Sequence, residues 1–253
     1  MNFRSFFGPL AVSLCFIYTA AAQTPLSVLA SNGMKAVVVE LAPQLEKASG
    51  RPVSFDYGST TGLLRKIDAG ATFDVAILTS DAIGALVKQN KLSAPTRTDF
   101  ARSGIGVAVR SGTPKPDVST AAAMKRMLEG AKSITYAGDG ASRPAIDKMI
   151  ARLGLTSEMK PRTILTTGSG AAMTSVADGK VDIVMTLMSE LLPVRGIDIA
   201  GPFPPELQGY VTFGAAANLK AAQLESAKAM IAFLKSAAAG PVYKAKGMEL
   251  VRP

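Results

Sequence analysis

Three short apolar strand signals in the first eighty residues each run into a Ser/Thr group and then a helix signal, and no other feature of the chain constrains its fold as much. The junctions are Leu26 to Ala30 into Ser31-Asn32, Val53 to Tyr57 into Gly58-Ser59-Thr60-Thr61, and Asp74 to Leu78 into Thr79-Ser80. In a parallel α/β sheet such strand ends share one edge, where helix N-termini present unpaired N–H groups and positive dipole ends. Neutral hydroxyls gathered on that edge make a cradle for an oxyanion.

An export signal is expected at positions 1–22. Arg4 precedes an apolar run from Phe6 to Tyr18, and Ala20-Ala21-Ala22 supplies small residues for cleavage before Gln23. The single cysteine, Cys15, falls inside that run after Leu14, which argues against lipidation and leaves a thiol-free chain suited to an oxidising compartment. No later segment has the roughly 18 consecutive apolar residues of a membrane span, so a periplasmic, soluble protein is expected. Subtracting Arg4 from the 28 basic residues and setting the rest against 19 acidic ones leaves a net charge of +8. The basic residues are scattered, aromatics are 6% and Trp is absent, so stacking platforms for nucleic acid are scarce and no nucleic-acid partner is expected. A diffuse positive field instead attracts small anions.

Strand and helix signals alternate along the whole chain. Helical stripes at Met34, Val37, Val38, Leu41 and Leu45, at Ile146, Met149, Ile150 and Leu153, and at Leu224, Ala227, Ile231 and Leu234 read as core. Later strands are predicted at Gly104 to Arg110, Ser133 to Ala137, Thr163 to Leu165, Val181 to Met185 and Val211 to Ala215. The alternation predicts an α/β fold with a parallel sheet. Two breaker-rich segments, Pro95 to Gly104 and Gly201 to Pro205, each lead into an extended run, as paired crossings between lobes would. The expected division is 23–104 for the first lobe, 105–209 for the second and 210–253 for the return to the first, each lobe large enough to bury a core.

The second half has polar strand ends of its own. Gly138-Asp139-Gly140-Ala141-Ser142 precedes the Ile146 helix, and Thr166-Thr167-Gly168-Ser169-Gly170 precedes another. Neither completes a dinucleotide fingerprint, because Arg143 and Met173 stand where the third glycine belongs. Catalytic constellations are sparse. With no His, the Ser-His-Asp and Cys-His nucleophile systems and most zinc sites are ruled out, and no metal or cofactor is expected. Ser157 and Lys160 form an isolated Ser-x-x-Lys without its companion motifs. What remains open is proton transfer by a carboxylate, Lys or Tyr in the cleft.

The run Ala30-Ser31-Asn32, the block from Phe55 to Leu64, the block from Phe73 to Asp81, Phe100-Ala101-Arg102-Ser103, Ala177 to Asp182 and Ala232 to Ser236 resemble segments of the periplasmic molybdate-binding proteins. The resemblance spans nearly all of the chain after residue 22. It implies a two-lobed type II periplasmic binding fold with a strand hinge, and an anion in the cleft held by Ser31, Ser59 and Thr79 or Ser80. With neighbours of the same polar strand ends, the candidate ligand-binding set is Ser31, Asn32, Ser59, Thr60, Thr79, Ser80, Ser142, Arg143 and Ser169.

Molybdate binders usually carry a Tyr in the stretch that here reads Ile183 to Glu190, and the run Ser189 to Val194 resembles a divergent branch of the family. Two function classes follow. One is a monomeric subunit that delivers a small anion, oxyanion or carboxylate, to an inner-membrane ABC permease. The other is an enzyme on the same scaffold, since aconitate isomerase resembles these binding proteins and a 1,3 proton shift needs only a base and anion clamps. Candidate bases are Asp139, Glu190 and Tyr57. Arg143, whose fork suits a planar carboxylate, points toward carboxylate ligands.

Overall fold

The computed structural model describes residues 23–251, in which the first three junctions become βα units. They are β1 (Leu26–Ser31) with a 3-10 turn at Asn32–Met34 and α1 (Lys35–Ser49), β2 (Val53–Gly58) with α2 (Thr60–Asp68), and β3 (Val75–Thr79) with α3 (Ser80–Lys88). β1 lies between β2 and β3 and parallel to both, which brings the three polar strand ends to one edge. The stripe Met34, Val37, Val38, Leu41 and Leu45 is buried throughout. The expected leader, with Cys15, lies outside the described residues.

The chain continues through β4 (Thr98–Arg110), α4 (Ala121–Gly130), β5 (Ile134–Ala137), α5 (Arg143–Arg152), α6 (Thr156–Met159), β6 (Thr163–Thr166), α7 (Ser169–Ala177), β7 (Ile183–Leu187), α8 (Met188–Leu191) and β8 (Ile197–Pro202). It then returns through β9 (Tyr210–Ala217), α9 (Leu224–Lys235), α10 (Gly240–Ala245) and β10 (Met248–Leu250). The strands form one sheet in the order β2-β1-β3-β9-β4-β7-β5-β6, with β8 and β10 also paired to β4. The sheet is mixed, which corrects the expected parallel sheet: β9 runs antiparallel to both β3 and β4. A strand returning beside the one by which the chain left must run the opposite way. No helix among the described residues is long and apolar enough to cross a membrane.

β4 belongs to both lobes. It pairs with β9 from Thr98 to Gly104 and with β7 from Ile105 to Val109. The stretch from Pro95, read from sequence as a breaker segment, is already ladder from Thr98, because its proline lies in the preceding 3-10 turn. Gln208, on the second crossing, clamps the first at this switch. Its side-chain oxygen accepts from Ile105 N at 2.8 Å, and its Nε2 donates to Ile105 O at 3.1 Å and Phe203 O at 3.3 Å. The two crossings are thereby tied at one point, as a hinge requires.

The largest apolar cluster runs under both lobes, with α9 packed on α1 and β4. The predicted stripe on α9 needs one correction: Leu224 is exposed at the helix start, and Met230 is buried instead. Phe100 and Tyr243 are fully buried with ring centroids 6.0 Å apart, and Tyr243 Oη donates to Leu234 O at 2.6 Å.

Candidate functional site

Between the lobes lies a closed chamber of about 20 Å³, lined by Ser31, Asn32, Gly33, Ser59 and Thr60 from the first lobe. Gly140, Ala141, Gly168, Ser169, Leu187 and Glu190 line it from the second. That volume is near that of one water-sized sphere, so this part of the cleft holds no larger guest as it stands. A cavity of about 590 Å³ adjoins it on the Thr60, Gly140 and Ala141 side, and one of about 470 Å³ on the Asn32, Ser169 and Glu190 side. Among the described residues, Lys35 is the only Lys or Arg that lines these three spaces.

Local sequence explains the first-lobe wall. Ser59 sits at the N-cap of α2 in extended conformation, and its Oγ accepts from Gly62 N at 3.1 Å, the ordinary cap. Ser31 ends β1 and is buried, and its hydroxyl accepts a long bond of 3.5 Å from Thr60 Oγ1. Gly33 is a site of close approach: a Cβ there would fall 2.6 Å from Phe213 Cζ and 2.8 Å from Leu187 Cδ1. Its carbonyl accepts from Ser189 Oγ at 2.8 Å, a buried bond between the lobes. Gly33→Ala should therefore cost about 1–3 kcal/mol by overpacking, measured by urea denaturation.

The second-lobe wall depends on backbone. Gly168 caps α7 with φ 77°, which glycine adopts without strain, and its N–H donates to Asp139 Oδ1 at 2.8 Å. The other oxygen, Asp139 Oδ2, accepts from Ser59 Oγ at 2.8 Å across the cleft. Burial pushes the Asp139 carboxyl up, but the Gly168 and Ser59 hydrogen bonds, its own backbone N–H and the charge of Arg65 outweigh this, and its pKa is lowered on balance. Glu190 is the opposite case. Its Oε1 accepts from Ser169 Oγ at 2.7 Å and its Oε2 from Thr186 Oγ1 at 2.5 Å, and no cation among the described residues is paired to it. Burial raises its pKa above the ordinary value despite hydrogen bonds from Thr186, Ser169 and the Leu187 backbone.

Ser31, Asn32, Ser59, Thr60, Ser169 and Glu190 thus meet in the chamber wall. Thr79, Ser80 and Asp139 line the larger neighbouring cavity, where Ser80 Oγ donates to Asp99 Oδ2 at 2.6 Å. Ser142 is buried at the start of α5 and is not in the lining. Arg143 is directed elsewhere. Its Nη1 donates to Gly138 O at 2.7 Å, its Nε lies 3.3 Å from Asp147 Oδ2, and it faces a separate groove with Tyr136 and Ile150. Tyr57 stacks on Phe55 outside the chamber, beneath the Lys35 ammonium at 5.2 Å, and burial raises its pKa. Gly140, Ala141, Gly168 and Leu187 were not selected from sequence, since a wall built of main chain has no side-chain signature. No group of three or more acidic, His or Cys side chains among the described residues is arranged for a metal ion.

The chain is 30% identical to an aconitate isomerase of a Pseudomonas species over 252 residues, covering 96% of this chain and 95% of that protein. The periplasmic molybdate-binding protein of Azotobacter vinelandii shares the fold with a TM-score of 0.73 at 20% identity, over 90% of this chain and 99% of that one. The sulfate-binding protein SubI of Mycobacterium tuberculosis H37Rv also gives a TM-score of 0.73, at 18% identity over 91% and 88% of the two chains. Residues 26–249 match the bacterial extracellular solute-binding proteins, and the chain belongs to that family.

Proposed function

We propose that the protein captures a small anion between its lobes in the periplasm and, as a monomer, delivers it to an inner-membrane ABC permease. The observation that carries this reading is the buried Ser31 hydroxyl, which has only a long contact of 3.5 Å with Thr60 Oγ1 and faces a chamber walled by Ser59 and the start of α7. Neutral hydroxyls and helix-start N–H groups desolvate an anion without a buried counter-charge. Titration calorimetry with sulfate, molybdate, malonate and trans-aconitate tests it. Ser31→Ala and Ser59→Ala should each weaken binding of the anion that binds wild type by about 1–3 kcal/mol, the usual loss for a hydrogen bond to a charged group. Unchanged affinity in both variants would reduce these hydroxyls to helix caps.

One feature favours a second reading, an isomerase that moves a proton along a small tricarboxylate. Glu190 is a carboxyl of raised pKa in the chamber wall, fixed by two hydroxyls and in no ion pair among the described residues, which suits a base that takes a proton from one carbon and returns it to another. The relative of 30% identity bears that activity in its name. Incubating purified protein with trans-aconitate and following the isomer ratio separates the two readings, since a carrier leaves it unchanged.

A further inference from the structure

We propose that the Asp139 carboxylate is the protein's own occupant of a solute carboxylate subsite, and that the anion this cleft takes is a carboxylate that displaces it from Ser59 Oγ and Gly168 N. The inference rests on the anion-capture reading and narrows it to a chemical class.

One planar group is gripped here by both of its oxygens. Ser59 Oγ, from the first lobe, holds Oδ2 at 2.8 Å, and Gly168 N, from the second, holds Oδ1 at 2.8 Å. Both donors are neutral, and Asp139 forms no ion pair among the described residues. Ser59 and Gly168 line the chamber, whereas Asp139 lines the 590 Å³ cavity beside it, so the bridge stands at the boundary between the two spaces. With the bridge intact the chamber holds about 20 Å³, too little for an organic anion. Opening it strips both donors of their acceptor, and donors left unmet in a closing cleft are costly. A carboxylate from the solute restores both bonds with the same planar pair of oxygens when the lobes close again. Asp139 and the solute therefore compete for one pair of donors, and the resident carboxylate lowers apparent affinity in proportion to the time it occupies them.

The variants Asp139→Ala and Asp139→Asn test this by chemical rescue. Removing the carboxylate with Asp139→Ala should lower Tm, and formate or acetate should restore it toward the wild-type value while leaving wild-type Tm unmoved. Sulfate and molybdate at the same concentration should not restore it. Asp139→Asn fills the same space, loses one acceptor and should show no rescue by formate. Malonate or trans-aconitate should bind Asp139→Ala about tenfold more tightly than wild type, by removal of the competitor. Rescue by sulfate equal to that by formate, or equal rescue of both variants, would overturn the carboxylate subsite and leave anion capture standing. If no carboxylate, sulfate or molybdate binds either wild type or Asp139→Ala, the anion-capture reading itself falls. An Asp139→Ala protein that is destabilised and not rescued by any carboxylate would make Asp139 a plain strut between lobes and overturn the subsite.

Discussion

Replacing Glu190 by glutamine is expected to leave anion capture in place and to cut any interconversion of cis- and trans-aconitate by about 10²–10⁴-fold, the usual worth of a positioned acid–base group. Glutamine keeps the length of the side chain and an oxygen that can accept from Ser169 or Thr186, but it moves no proton. The same variant has a signature independent of turnover. Burial holds the Glu190 carboxyl above its ordinary value of 4.5, so the folded protein keeps that proton more tightly than the unfolded chain does. The stability gained is complete below the unfolded value and is lost as pH rises through the folded one. Wild type should therefore lose stability relative to Glu190→Gln as the pH climbs. Urea denaturation at a series of pH values reads this directly. A stability difference that stays constant from about pH 4 to about pH 8 would remove the buried acid.

Phe100→Ala should cost about 3–5 kcal/mol, the range for deleting a buried aromatic ring, and lower the urea midpoint accordingly. The ring is fully buried against Tyr243, so its removal leaves a void that the packed surroundings refill only in part. Phe100→Leu keeps most of the volume and should cost under half as much. Equal losses for the two variants would mean that packing is not what Phe100 contributes.

Asp139 and Glu190 stand out in the chain because each lies at or just past a strand end, Asp139 in the polar run Gly138 to Ser142 and Glu190 in the short α8 after β7. Ser59 was legible for the same reason, as an N-cap ahead of an apolar stripe. Arg143 was read as facing a ligand and faces a side groove, because a residue in the first helical turn points where the helix phase sends it. Asp147, four residues on, and the Gly138 carbonyl claim its donors. The antiparallel run of β9 was not legible, since strand direction depends on a partner more than a hundred residues away. The edge strands β8 and β10 were missed because neither has the long alternation that marks a strand.

The sheet of the first lobe is completed by the last strand of the chain. Met248, Glu249 and Leu250 pair with Ser103, Arg102 and Ala101, and Arg102 binds Glu249 through two nitrogens at 2.6 and 2.8 Å. During synthesis the first part of β4, Thr98 to Gly104, therefore emerges without its first-lobe neighbours, and waits through about a hundred further residues for β9 and then β10. Contacts so distant in sequence are paid for late and form slowly. The sheet of the first lobe thus stays open while the second lobe is made, and closes only once β9 and β10 have been added.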